Sequence, residues 1–250
     1  MGERPQIHIG WLYPEYMNLY GDRGNIIVFE QRSRWHGLEP VVTKVGLGDK
    51  ANFHQFDLLM MGGGQDREQG LIAEDFLKVK GGSLGEAIHD GLAVLAVCGG
   101  FQMLGKHFKT YKGEMLKFTG ILDLWTEGST ERMIGNVIVE SDMFGDSHRT
   151  LVGFENHSGK TYLGPGLKPL GRVVKGGGNN GKDKMEGVLF KNTVGTYLHG
   201  SILPKNPHLA DWLIERAMER RYPGQVKLGR LNDELEQRAH SAIIQRFGSQ

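Results

Sequence analysis

Apolar residues along the first hundred positions are gathered in short runs, each closed by a polar or glycine-rich turn. Four such runs predict strands: Gln6–Leu12, Pro40–Val45, Asp57–Met61 and Ala93–Val97. The intervening segments predict helices over residues 24–36, 66–79 and 83–90. Alternation of strand and helix is typical of an α/β domain with a mostly parallel central sheet flanked by helices.

The pattern changes after Gly120, where short β-prone segments alternate with turns rich in Gly, Asn and Asp. These segments are ILDLW, GNVIVE, TLVGFE, VKGG and MEGVLFKNTVGTYLH. They predict a more β-rich second half, partly antiparallel and packed onto the first sheet, in which Val194–Leu198 is another apolar strand. Two helices, over residues 207–221 and 229–247, are expected to close the chain.

Composition excludes several classes of protein. Of 250 residues, 39% are hydrophobic and 24% charged, which is usual for a soluble globular domain, and the formal net charge of +1 favours neither nucleic acid nor an anionic membrane. We expect no transmembrane helix and no signal peptide, because no apolar stretch is long enough and the N-terminus lacks the required pattern. A single cysteine excludes an intramolecular disulfide and fits a reducing cytoplasm.

That cysteine, Cys98, stands directly after the apolar run Ala93–Val97 and before Gly99 and Gly100. A lone cysteine after an apolar run is usually inert core, but a core cysteine needs no pair of glycines. Strand, sharp turn and helix start, with a nucleophile at the corner, predict a nucleophile elbow. A thiolate there would be stabilised by the helix N-terminus, and the Gly99 N–H would point at a developing oxyanion.

Two further strand ends carry candidate chemistry. Gly62–Gly64 follows the third strand, as a plain tight turn, as a source of N–H groups for an oxyanion or as a cradle for a phosphate; no Gly-Lys-Ser/Thr follows, so it is not a P-loop. His199 ends the strand Val194–Leu198 and is placed as a general base would be, although it is one of ten histidines. Cys98 and His199 together predict nucleophilic catalysis. A metal site fits poorly, because these residues lack ligand spacing.

The sequence resembles class I (triad-type) glutamine amidotransferases, which have a flavodoxin-like fold. Three features carry the resemblance: CGGFQ after an apolar strand, GGG after the preceding strand and a His at the end of a late strand. More narrowly, six segments in order are similar to the GatD family, in the cobyric-acid-synthase-like (CobB/CobQ-like) branch: NLYGDRGN, GGGQDREQ, CGGFQMLG, ILDLWTE, GFENHSG and GTYLHGSILPKNP. The similarity extends from about residue 6 to residue 221. It implies an amidotransferase domain over 1–222 and a C-terminal helical extension over 223–250.

The resemblance implies a reaction and a partner. GatD proteins are the glutaminase subunits of lipid II isoglutaminyl synthase, so the chain is expected to hydrolyse L-glutamine to glutamate and ammonia. The ammonia would pass to a Mur-ligase-like subunit, MurT, in a heterodimer. With ATP and Mg on the partner and no cofactor in this chain, MurT would amidate the D-glutamate α-carboxylate of lipid II to D-isoglutamine for peptidoglycan. The expected location is the bacterial cytoplasm, near the inner face of the membrane.

The resemblance also assigns roles to residues. Cys98 would form a glutamyl thioester and His199 would act as the base, with Gly63 and Gly99 as oxyanion donors. Arg132 would hold the substrate glutamine and Gln102 would contact it. By residue type alone, Arg132 is as well explained by a solvated surface charge, and Gln102 by a helix side chain facing water.

The third catalytic residue departs from the common pattern. Many triad glutaminases have His-x-Glu, whereas Gly200 and Ser201 follow His199 here. The resemblance points to Asp22 as the residue that orients His199, with Glu155 of GFENHSG as the alternative. Asp22 is equally well placed to cap the helix over 24–36, and GFENHSG also has the composition of a β-turn.

Three other functions compete. A cobyrinic or cobyric acid amidating glutaminase shares the Cys, GGG and His, but such chains usually carry a fused ATP-dependent domain; because this sequence has no P-loop, a separate synthetase is expected. A cysteine hydrolase of the same superfamily should lack a glutamine-holding Arg. An inactive regulatory subunit would not need both Cys98 and His199.

Overall fold

A computed structural model describes residues 4–19, 21–145 and 149–248. Its strands are β1 (Gln6–Leu12), β2 (Glu39–Val45), β3 (Leu58–Met61), β4 (Ala93–Val97), β5 (His107–Lys109), β6 (Met115–Lys117), β7 (Leu124–Ser141), β8 (Arg149–Leu163), β9 (Gly171–Lys175), β10 (Met185–Glu186), β11 (Val188–Phe190) and β12 (Thr193–Thr196). Its α-helices are α1 (Arg23–Trp35), α2 (Asp66–Asp75), α3 (Gly81–His89), α4 (Gly99–Met103), α5 (Pro207–Arg221) and α6 (Glu234–Phe247). The NLYGDRGN motif includes Tyr20, which lies outside the described residues.

The first sheet has the strand order β11-β12-β4-β3-β1-β2. All its pairings are parallel except that of β11 with β12. Every residue of β3 and β4 is buried, as the unbroken apolar runs predict for central strands with helices on both faces. The carboxyl ends of β3, β4 and β12 therefore meet at one edge, where α/β sheets place their sites. The predicted α/β fold is confirmed.

The second sheet has the order β10-β9-β7-β5-β6, and β8 pairs with β7. The prediction of short strands is wrong here, because β7 and β8 form one long antiparallel ribbon of 18 and 15 residues. Glycine and asparagine that suggested turns instead lie inside the ladder, as Gly135 opposite Glu155 and Asn136 opposite Phe154 show. GFENHSG is consequently strand, not turn.

The helix expected over residues 66–79 ends early. α2 stops at Asp75 and a π-helical turn, Phe76–Lys80, precedes α3. The Asp75 carboxylate accepts a hydrogen bond from the Tyr13 hydroxyl (2.6 Å) and pairs with the ammonium of the fully buried Lys80. These two contacts of Asp75 lie where the α-helix changes to the π-helical turn. After α4 the chain continues into β5.

The C-terminal helix α6 is shorter than the predicted 229–247 and packs against β7 and β8. The His240 ring holds it: Nδ1 donates to the Lys205 carbonyl (2.7 Å) and Nε2 accepts from the Thr150 hydroxyl (2.7 Å). The division at residue 222 remains a prediction. Within the described ranges, no helix has the length and apolar character needed to cross a bilayer.

Candidate active site

Cys98 lies at the corner between β4 and α4, with φ 49° and ψ −106°. A positive φ is uncommon for a residue with a side chain and marks a strained turn. The Cys98 N–H donates to the Thr196 carbonyl (2.8 Å), which joins the corner to β12. The predicted strand–corner–helix geometry of an elbow is present.

The two glycines after Cys98 allow this corner to pack against the Gly62–Gly64 turn. A Cβ on Gly99 would lie 2.8 Å from the Gly64 carbonyl oxygen, and one on Gly100 would lie 2.9 Å from that of Gly62. Real Cβ atoms do not approach so closely, so both positions require glycine. The Gly100 N–H donates to the Gly62 carbonyl (3.1 Å) and joins the two turns.

The Cys98 thiol is protonated at neutral pH. Burial and, to a smaller extent, the negative charge of Asp22 raise its pKa to about 12, although the Gly99 N–H partly opposes the rise. The expectation of a thiolate stabilised by the helix N-terminus is therefore not met. The helix is one short turn, and desolvation outweighs its effect.

Asp22 is fully buried and precedes α1 without capping it through its side chain. Its Oδ2 instead accepts a hydrogen bond from the Gly63 N–H (2.8 Å). The capping interpretation is therefore wrong. In this structure Asp22 holds the backbone group that the resemblance assigns to the oxyanion hole.

His199 follows β12 and is 2% exposed. Its backbone pairs with Phe154 of β8: the His199 N–H donates to the Phe154 carbonyl at 2.8 Å. Burial, helped by the nearby His157 and Arg132, lowers the pKa of the imidazole to about 3. The ring is therefore neutral at pH 7, which a general base requires.

Glu155 faces His157. Its carboxylate accepts hydrogen bonds from the N–H groups of Gly177 (2.8 Å) and Gly178 (3.0 Å), and its Oε2 lies 3.8 Å from Nε2 of His157. The other ring nitrogen, Nδ1, donates to the Gly159 carbonyl (2.9 Å). The resemblance offered Glu155 as a partner of His199, whereas its nearest described imidazole contact is with His157.

Tyr197 lies between the elbow and β8. Its ring stacks on His157 with centroids 3.6 Å apart, and its hydroxyl accepts a hydrogen bond from Nε2 of Gln102 (2.9 Å). The carbonyl oxygen of Gln102 in turn accepts one from Gln69 (2.7 Å). Both ends of the Gln102 amide are thus held inside the protein, and Gln102 is buried, not solvated.

A cavity of about 810 Å³ opens beside the elbow. Residues of the elbow, of α2 and of the β7–β8 ribbon line it, among them Cys98, Gly64, Gln102, Arg132 and His157. Arg132 is exposed, and its Nε donates to Oδ1 of Asn156 (2.6 Å). The structure thus brings three predicted residues, Cys98, Arg132 and Gln102, to one cavity, whereas Asp22, Gly63, Gly99 and His199 are not among the described residues that line it.

Sequence reasoning missed His157, Tyr197 and Gln69 as parts of this site. On β8 the residues at 155, 157, 159 and 161 are buried and those between them are less so. Burial at every second residue is typical of a strand with one covered face. The turn-like composition of GFENHSG concealed this alternation in the sequence. Correct assignment of β8 would have placed His157 on the covered face.

Residues 8–207 match the family described as the CobB/CobQ-like glutamine amidotransferase domain. The chain is 44% identical over 235 residues to the lipid II isoglutaminyl synthase (glutamine-hydrolyzing) subunit GatD of Staphylococcus aureus, covering 94% of this chain and 93% of that protein. It is 39% identical to the same-named subunit of Streptococcus pneumoniae, covering 93% and 88%. PurLQS from Thermotoga maritima has a similar fold, with a TM-score of 0.56, 17% identity and coverage of 87% and 99%.

Proposed function

The chain belongs to the CobB/CobQ-like family of glutamine amidotransferases, and we propose that it is the glutaminase subunit of a lipid II isoglutaminyl synthase. The similarity to two GatD subunits over nearly their whole length carries this proposal. It favours lipid II over cobyrinic or cobyric acid as the destination of the ammonia. An inactive subunit is disfavoured because the elbow is intact and Cys98 opens on a cavity.

In the proposed mechanism Cys98 attacks the carboxamide carbon of glutamine. Both groups start neutral, because burial raises the pKa of Cys98 and lowers that of His199. The thiol proton therefore moves to His199 during the attack and then to the departing nitrogen, which leaves as ammonia. Water, deprotonated by His199, hydrolyses the glutamyl thioester, releasing glutamate and returning the proton to Cys98.

The oxyanion of each tetrahedral intermediate needs backbone donors. Gly99 is the first candidate, because its N–H follows the nucleophile directly and acts to lower the pKa of the Cys98 thiol. Gly63 is the second, and it must release Asp22 before it can donate to substrate. Arg132 would pair with the glutamine α-carboxylate at the cavity wall, and Gln102 would shape the floor.

Asp22 is the proposed orienting residue for His199, with Glu155 as the alternative. Asp22 lies within electrostatic reach of Cys98, since its charge raises the pKa of the thiol. Glu155 is rigidly held by two backbone donors but faces His157. Release of the Gly63 N–H by Asp22 would free that donor for the oxyanion.

The ammonia acceptor is proposed to lie on another chain. Both named relatives are subunits, and this chain covers 93% and 88% of their lengths. A Mur-ligase-like MurT partner holding ATP and Mg would activate the D-glutamate α-carboxylate of lipid II, in the bacterial cytoplasm beside the membrane. In this heterodimer, residues 1–222 would form the amidotransferase domain and residues 223–250 an extension.

The deciding experiment measures glutamate release from glutamine by the chain co-purified with its Mur-ligase-like partner. Wild type should turn over and Cys98→Ala should not, while partner binding and thermal unfolding are retained because only a small side chain is lost. Amidation of lipid II, compared with cobyrinic acid as the acceptor, then identifies the destination. Absence of glutamine turnover by the wild-type complex would overturn the proposal.

A further inference from the structure

Glu186 is a fully buried carboxyl group at the edge of the second sheet. Its side chain leaves β10 and reaches the end of β12 in the first sheet. There Oε1 accepts hydrogen bonds from the Thr196 hydroxyl (2.6 Å) and from the Tyr197 N–H (2.8 Å). Gly187 permits this approach, because a Cβ on it would lie 2.3 Å from the Gly195 carbonyl oxygen.

These two bonds fix the segment that precedes His199. The Thr196 hydroxyl, while donating to Glu186, accepts a hydrogen bond from the Leu198 N–H (3.0 Å). The next residue, His199, is held by backbone hydrogen bonds with Phe154 of β8. Four consecutive residues, 196 to 199, thus each donate one hydrogen bond that holds this segment. Glu186 is the acceptor for the first two donors, the Thr196 hydroxyl and the Tyr197 N–H.

The same contact fixes Tyr197. Its ring packs edge-on against Phe101 of the elbow helix at 5.4 Å and stacks on His157, while its hydroxyl accepts from Gln102. A shift of the Tyr197 backbone would therefore disturb the group behind Cys98 as well as His199. Glu186 itself lies outside the described lining of the cavity.

We propose that Glu186 is a positioning residue for glutamine hydrolysis, acting through β12 to hold His199 and Tyr197 in place behind Cys98. This inference rests on the proposed glutaminase function. Buried hydrogen bonds of this kind specify geometry because their donors have no water as an alternative partner. Removal of the acceptor would leave the Thr196 hydroxyl and the Tyr197 N–H unsatisfied.

Charge is not what the contact requires. Burial, helped by nearby Glu155, raises the pKa of Glu186 to about 7, although the Thr196 hydroxyl and the N–H groups of Tyr197 and Gly187 oppose the rise. Either protonation state leaves Oε1 able to accept both bonds. Glu186→Gln retains an amide oxygen at the same place, so it is the conservative variant, and Glu186→Ala is the disruptive one.

The test compares kcat and KM for glutamine in the wild-type complex, Glu186→Gln and Glu186→Ala. We expect Glu186→Ala to lower kcat about tenfold or more, with KM within about twofold of wild type because Arg132 is not displaced. Glu186→Gln should restore kcat to within about threefold of wild type. If Glu186 had a purely structural role, Glu186→Ala would lower the unfolding temperature but would not lower kcat selectively over KM. The recovery of kcat in Glu186→Gln would then also be missing.

Thr196→Val provides a second variant should Glu186→Ala fail to fold. It removes the hydroxyl that donates to Glu186 and should lower kcat in the same way, whereas Thr196→Ser should not. Wild-type kcat in folded Glu186→Ala or in Thr196→Val would overturn the inference while leaving the glutaminase intact. A wild-type complex without glutaminase would overturn the proposed function and this role together.

Discussion

Oδ2 of Asp22 accepts a hydrogen bond of 2.8 Å from the Gly63 N–H. Asp22 was expected to orient His199 and Gly63 to stabilise an oxyanion, so two groups with separate expected roles are bonded to each other. A buried carboxylate near the thiol also disfavours the thiolate, because like charges repel at short range in a dry site. This one contact therefore affects the base, the nucleophile and the oxyanion hole.

Asp22→Asn separates charge from hydrogen bonding. The amide oxygen can still accept the Gly63 N–H, but the negative charge is gone. We expect glutamine turnover to fall by about a hundredfold, because the imidazole loses its orienting carboxylate, while alkylation of Cys98 by iodoacetamide at pH 9 becomes faster. Wild-type turnover in this variant would transfer the orienting role to Glu155, to be tested with Glu155→Gln.

The pH dependence of Cys98 alkylation follows from its raised pKa. With a pKa of about 12, the thiolate fraction keeps rising tenfold per pH unit across the accessible range. We therefore expect the iodoacetamide rate of the free chain to increase steadily from pH 7 to pH 10, measured by intact mass. Because Cys98 is the only cysteine, Cys98→Ala is a complete blank. A plateau between pH 6 and pH 8 would mean a preformed thiolate.

Arg132 should affect glutamine binding more than chemistry. Its guanidinium is exposed at the cavity wall and is aligned by Asn156, so Arg132→Lys loses the planar fork that recognises a carboxylate. We expect KM for glutamine to rise about tenfold or more with a smaller change in kcat. Arg172→Ala is the matched control, because Arg172 pairs with Glu140 outside the described cavity lining. An unchanged KM in Arg132→Lys would remove Arg132 from the substrate site.

Stability should fall as pH rises through the range in which Glu186 titrates. The carboxyl has a pKa of about 7 in the folded chain and an ordinary value of 4.5 when unfolded, so the folded state binds more protons between these limits. Raising the pH from 4.5 to above 7 should cost on the order of 3 kcal/mol through this group. In Glu186→Gln the same pH series, followed by urea unfolding, should lack this component. An identical slope in both proteins would contradict the buried-carboxyl assignment.

The sequence was informative where local pattern and tertiary environment agree. Ala93–Val97, Cys98 and the two glycines contain the whole elbow, because strand, corner and helix start are all specified within a few residues. The ribbon of β7 and β8 was not predictable in the same way: its glycines and asparagines are tolerated by cross-strand pairing that becomes visible only in the fold. The partner of Asp22 and the protonation of Cys98 depend on burial by distant segments, which no local pattern encodes.

The contact of Gly99 and Gly100 with the Gly62–Gly64 turn limits which positions of this protein can be substituted in a mutant library. A library that randomises these positions would consist almost entirely of inactive members, because any side chain must push two backbones apart at once. Ser129 and Thr130 also line the cavity, on the ribbon, and both have solvent-exposed surface, so they impose no such limit. Selection for a new amide donor would therefore explore the ribbon, while the elbow stays invariant.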